Sequence, residues 1–214
     1  MNTIGKSGKF FSPERWGFLE VEFETLLDAV AAWTKSLFFD VHMIPVGNDL
    51  AAMMLLVEDR TVPMERYLLT TTQSGWVACF SNSLGGDVTS LVGYMSETLY
   101  CAGVEIVAVP SQGKLRPGQV HYPACQFTLY SGKVINCSNV ERSVVCMDDG
   151  GRWIFETDGQ VQSFEETNKY SEPRIRDRFT IDMLERYCRA LGIDPFERSF
   201  YGERGLLFRF SNPI

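Results

Sequence analysis

Apolar and polar positions change period several times along the chain, and each change marks a candidate element. Residues 1–16 mix polar and aromatic side chains without a period and read as an irregular arm. Phe18–Glu24 then alternates, with Val21 and Phe23 on one side and Glu20, Glu22 and Glu24 on the other, which predicts a half-buried strand. Leu26, Val30, Trp33 and Leu37 recur at helical spacing behind Thr25, a candidate cap with Asp28 three residues on, so a helix reaching Phe38 is expected. Two apolar runs follow, Phe38–Val46 and Ala51–Val57, split by the turn signal Gly47-Asn48-Asp49. They fit a hairpin, and the run Ala-Ala-Met-Met-Leu-Leu fits a helix equally well.

Tyr67–Thr72 and Trp76–Phe80 flank Gln73-Ser74-Gly75 and make the clearest hairpin of the first half. Asp87 stands where it can cap a helix whose apolar stripe is Val88, Leu91, Met95, Leu99 and Ala102, with Gly103 as its stop. Val104–Val109 reads as a buried strand ended by Pro110. Past the polar loop Ser111–Gly118 come four strand-like segments, Ala124–Tyr130, Val140–Met147, Arg152–Glu156 and Gln160–Phe164, with turns at Asp148–Gly151 and Thr157–Gly159. Thr180 caps a last helix with Ile181, Leu184, Tyr187, Cys188 and Leu191 inward and Gly192 as its stop, and Leu206–Phe210 is a final strand. Strands and helices do not alternate strictly, so the expected class is α+β, a mixed, largely antiparallel sheet with about three packed helices. A chain of 214 residues suits one such domain, with the loop at 111–118 as the candidate sub-boundary.

Charge sharpens this picture. The chain carries 20 basic and 27 acidic residues, a formal charge of −7 and a pI near 4.9. All of the excess lies in the first half, where residues 1–110 hold 6 basic and 13 acidic residues against 14 of each in the remainder. Such a balance disfavours non-specific binding to nucleic acid or an anionic membrane. No run approaches the roughly 20 apolar residues that a bilayer span needs, and the first residues lead into no apolar signal core, so a cytoplasmic protein is expected. The six cysteines include no Cys-x-x-Cys pair and at least three sit in apolar patterns, which predicts reduced, buried thiols rather than disulfides or a zinc site.

Candidate chemistry is sparse. His42 and His121 are the only histidines, and neither has a partner at metal-ligand spacing. Ser81–Asp87 lies between a strand and a helix, where glycines can cradle a phosphate, but it lacks the lysine of a phosphate loop and puts the Asp87 carboxylate where the phosphate would sit. The carboxylate pairs Asp148-Asp149 and Glu165-Glu166 could serve acid–base chemistry in a cleft, yet one falls at a Gly-Gly turn and the other at a strand end, so both are expected to be solvated. Lys169, Arg174, Arg176 and Arg178, with Tyr170 nearby, could hold an anion. Glu165, Glu166, Glu172 and Asp177 are interleaved with them, which favours local neutralisation. No cofactor or metal is implied.

At Arg66-Tyr67-Leu68-Leu69, Ser74–Phe80, Gly151–Glu156 and Arg174–Thr180 the chain resembles uncharacterised bacterial proteins, over about residues 60–200. Those motifs carry no catalytic role to transfer. Its acidic, motif-poor character is similar to that of immunity proteins of bacterial toxin systems, a likeness of class rather than of sequence. That likeness implies direct binding to a basic-surfaced toxin, with no nucleic-acid or membrane partner. The carboxylates Glu20, Glu22, Glu24, Asp49, Glu58 and Asp59 are the candidate partner-binding residues, the first three as a row spaced about 7 Å apart on one strand face. The competing expectations are an enzyme with an unrecognised site and a structural or regulatory module.

Overall fold

A computed structural model describes residues 14–37, 40–47, 49–58, 65–82, 87–110, 122–135 and 138–211. Its centre is a nine-stranded sheet in which every neighbouring pair is antiparallel, in the order β2-β9-β3-β4-β1-β5-β6-β7-β8. The strands are β1 (Arg15–Glu20), β2 (Asp40–Gly47), β3 (Glu65–Thr72), β4 (Trp76–Ser81), β5 (Gly103–Val109), β6 (Ala124–Ile135), β7 (Ser138–Asp148), β8 (Trp153–Gly159) and β9 (Tyr201–Ser211). Four helices pack on it, α1 (Phe23–Leu37), α2 (Leu50–Glu58), α3 (Val88–Leu99) and α4 (Ile181–Ala190). The class is therefore α+β, with four α-helices among the described residues rather than about three, because the ambiguous Ala-Met-Leu run became α2 instead of a hairpin arm. The loop at 111–118 lies outside the described residues, and β5 and β6 on either side of it are paired neighbours.

Both faces of the sheet are covered. α1 and α3 lie over one face with Leu19, Tyr67, Leu69, Val77, Cys79, Phe208 and Phe210. α2 and α4 lie over the other with Trp16, Phe18, Leu68, Ala78, Phe80, Ile106 and Phe127. Strands covered on both sides need apolar residues at every position, which explains why Leu68-Leu69 and Trp76–Phe80 read as continuous runs. β3 and β4 form the expected hairpin, Tyr67 opposite Ser81 and Thr71 opposite Val77. The last strand does not end the sheet but enters it between β2 and β3.

Several boundaries differ from expectation, each for a local reason. β1 stops at Glu20 and α1 begins at Phe23, so the alternation of 18–24 spans a strand end and a helix start. Thr25 lies inside the first turn rather than at its cap, and Leu37 is exposed. β8 runs through Thr157 and Asp158 to Gly159, whose φ of +84° turns the chain, and Gln160–Phe164 forms no strand. At α3 the Asp87 carboxylate accepts from the Ser90 amide as expected, and at α4 the Thr180 hydroxyl accepts from the Met183 amide.

Gly103 is not the stop of α3. It opens β5, and the left-handed position falls on Tyr100, at φ 53° and ψ 40°. The Tyr100 side chain is 82% exposed, so the strained backbone is not repaid by packing there. Tyr100→Gly is expected to stabilise the fold by about 1 kcal/mol, read as a higher denaturation midpoint at unchanged m-value. A destabilised Tyr100→Gly protein would show that the tyrosine ring makes a contribution that its exposure hides.

Candidate functional site

Strand direction decides which of the six candidate carboxylates meet. The register places the C-terminal ends of β1 and β2 and the N-terminal end of β9 at the same end of the sheet: Glu20 faces Trp76, Thr72 faces Tyr201, and Gly47 faces Arg204. Glu20, Glu22, Glu24 and Asp49 therefore gather at this end, joined by the exposed Glu203, which the charge pattern did not single out. They do not form a row on one strand face, because the chain leaves the sheet after Glu20. Glu24 pairs with Arg204, whose guanidinium also lies 4.9 Å from the Phe23 ring centroid. Asp49 accepts from the Ala52 amide and so caps α2. Glu58 ends α2, which starts at the acidic end and leads towards β3 at the opposite one, so it does not join this group. Asp59 lies outside the described residues. Glu20, Glu22 and Glu203 are the exposed members without an ion pair among the described residues.

The pair Glu165-Glu166 is not solvated as a unit. The Glu165 side chain is 0% exposed and takes both prongs of the Arg142 guanidinium, at 2.8 and 2.7 Å. Its Oε1 also accepts from the Gln162 amide and its Oε2 from the Tyr170 hydroxyl, each at 2.7 Å. Four donors fill the four lone-pair sites of the carboxylate, so it has no free site for proton transfer to a substrate. Burial alone would raise its pKa, but the bonds from Arg142, Gln162 and Tyr170 together with the Arg142 charge hold it below the ordinary value. Tyr170 leans on Tyr187 at 3.0 Å between hydroxyl oxygens, and the Tyr187 hydroxyl accepts from the Glu166 amide. Burial, and then its bonds to Tyr187 and Glu165, push the Tyr170 phenol upward. This network binds the segment after β8 to the sheet. Glu166 itself turns outward to Arg186 at 2.7 Å.

The basic cluster divides. Lys169 pairs with Glu172, and Arg178 donates to the Glu172 carbonyl while lying 5.8 Å from the Phe155 ring centroid. Arg174 and Arg176 instead join Arg152, from a turn 22 residues earlier by the numbering, around an open cleft with Trp153, Ile175 and Gly151. A 3-10 turn at Ile175–Asp177 packs on β8 and makes this meeting, which linear spacing could not reveal.

The remaining candidates are dispersed or lie outside the described residues. His42 is exposed on β2 and contacts Asp40, and His121 lies outside the described residues. Asp148 accepts from the Gly151 amide within its turn. Residues 83–86 of the glycine loop are not among those described, while Asp87 is held below the ordinary value, burial opposing and the Ser90 and Thr89 bonds and the Arg15 charge favouring ionisation. Cys79, Cys125, Cys146 and Cys188 are buried free thiols, and Cys101 is half-buried with its pKa pushed up to about 11 chiefly by burial. Among the described residues no three His, Cys, Asp or Glu side chains are grouped as a metal site would require, and no helix is long and apolar enough to cross a membrane. No protein-family model, curated protein or solved structure matches the chain.

Proposed function

We propose that this chain is a binding protein of the immunity type, which neutralises a basic-surfaced bacterial toxin by direct contact through the acidic end of its sheet. The supporting observation is that the strand register gathers Glu20, Glu22 and Glu203 there without cationic partners among the described residues, beside Glu24 and Asp49. Like charges held together at a surface repel one another, and a cationic protein surface relieves that repulsion while steering encounter. Glu165, one of the carboxylates that the sequence offers for acid–base chemistry, is already saturated with donors, which weighs against the enzyme reading. The cytoplasm is the compartment in which such a protector would act.

An immunity gene is expected beside that of its toxin, so the test takes the products of the neighbouring genes as candidate partners. The wild-type chain is expected to associate rapidly with one of them, with rates that fall as salt is raised. Glu20→Lys with Glu22→Lys should slow association about tenfold or more and weaken the salt dependence, with an unchanged circular dichroism spectrum. Association indifferent to the double reversal would refute this docking face, and no complex with the wild-type chain would refute the reading itself.

A further inference from the structure

The cleft at the start of β8 lies at the opposite end of the sheet from the acidic group, and at the β8 edge rather than near β1, β9 and β2. We propose that it is a binding site for a small nucleoside phosphate. Arg152, Arg174 and Arg176 line a volume of about 580 Å³, within the range usual for small-ligand sites. Arg152 and Arg174 meet no carboxylate among the described residues, and the ion pair of Arg176 is a long one, 3.9 Å to its neighbour Asp177. The aspartates of the adjoining turn do not line the cleft, and Asp148 is engaged with the Gly151 amide. Three arginines lining one cleft concentrate positive charge there, and a multiply charged anion complements it.

The shape of the donors narrows the ligand. A guanidinium presents a planar fork that fits two oxygens, so a single carboxylate is satisfied by one arginine. A diphosphate offers enough oxygens for three. Trp153 supplies the second half of the argument. It is half-buried, and like Ile175 it packs against the core while lining the cleft, so the two residues supply the apolar part of the lining against which a planar base can lie. The platform under these groups is fixed: the Asp149 amide donates to the Arg152 carbonyl, the Arg178 amide to the Ile175 carbonyl, and the Cys146 thiol to the same Ile175 oxygen. Lys169 and Arg178, committed to Glu172 and Phe155, are not part of the site.

Calorimetric titration of the full chain at low salt, with ADP, inorganic pyrophosphate, adenosine and citrate as probes, tests this site. ADP and pyrophosphate are expected to bind, with adenosine, which lacks the phosphates, weaker by about tenfold or more, and citrate, which has carboxylates for three arginines but no base to meet Trp153, weaker than ADP. Arg152→Ala with Arg174→Ala should lower ADP affinity about tenfold or more, and Arg174→Gln alone should do so in part, with the ligand-free melting curve unchanged. Trp153→Ala should weaken ADP more than pyrophosphate. Citrate binding as tightly as ADP would overturn the phosphate assignment. ADP binding unaltered by the arginine changes, or no binding of ADP at millimolar concentration, would overturn the site. None of these readouts involves the acidic end, so the outcome is independent of the toxin-binding proposal.

Discussion

Glu165→Ala is expected to cost about 3–5 kcal/mol of stability, because it leaves the Arg142 guanidinium buried without its counter-charge. Arg142 is 3% exposed at its side chain, and its remaining partners are the carbonyls of Asp158 and Gly159 at 3.2 and 3.1 Å. The loss should be measurable by urea denaturation at neutral pH. Changing both residues, Arg142→Met with Glu165→Met, should cost less than the sum of the single changes, since no unpaired charge remains. Additive effects within about 0.5 kcal/mol would show that the pair is not coupled. The dependence on pH follows from the depressed pKa of Glu165. The unfolded chain binds its proton near the ordinary value of 4.5, the folded one only at lower pH. The wild-type advantage is therefore complete above that value and is lost as pH falls through the folded pKa. Hydrogen exchange should locate the damage: in Glu165→Ala, amides of residues 160–179 should exchange faster while those of β3 and β4 keep their protection.

This network also shows where sequence reasoning stops. The hairpin of β3 and β4, the caps at Asp87 and Thr180 and the strand β5 were legible because each depends on contacts or conformations within a few residues. The end of β1 was not, since Glu20, Val21, Glu22 and Phe23 alternate by chance across a strand end and a helix start. Glu165 looked like a surface charge because its partner Arg142 stands on β7 and its tyrosine neighbours come from a 3-10 turn and α4. Arg152 fell outside the basic cluster for the same reason, as only the packing of the Ile175–Asp177 turn on β8 brings it to Arg174. The overall acidity of the first half was visible, but which carboxylates share a surface depended on strand direction, which separates Glu58 from Glu20 and Asp49.

Arg15→Met is expected to destabilise the fold by about 3 kcal/mol through a second buried carboxylate. Glu105 interrupts the apolar run of β5, and position 105 faces α3 while Val104 and Ile106 point into the opposite layer. Its side chain is wholly buried and pairs with Arg15 at the start of β1. Thr89 on α3 donates to Glu105 Oε1 at 2.7 Å and Tyr130 on β6 to Oε2 at 3.0 Å. Three elements thus converge on the carboxylate that β5 carries, and α3 is held tightly there: a Cβ at Gly17 on β1 would stand 2.4 Å from Val88 and 2.5 Å from Val92. With Arg15 removed, two neutral hydroxyls remain to hold the charge, and they offset only part of its desolvation. Glu105→Gln keeps the shape and removes the charge, with its amide oxygen accepting from Thr89 and its NH2 donating to the Tyr130 hydroxyl, which turns from donor to acceptor, so its cost should be smaller, about 1 kcal/mol. The ordering separates an uncompensated charge from a merely lost hydrogen bond. A Glu105→Gln protein less stable than Arg15→Met in parallel urea titrations would refute the charge argument and assign the stability to the geometry of the carboxylate alone.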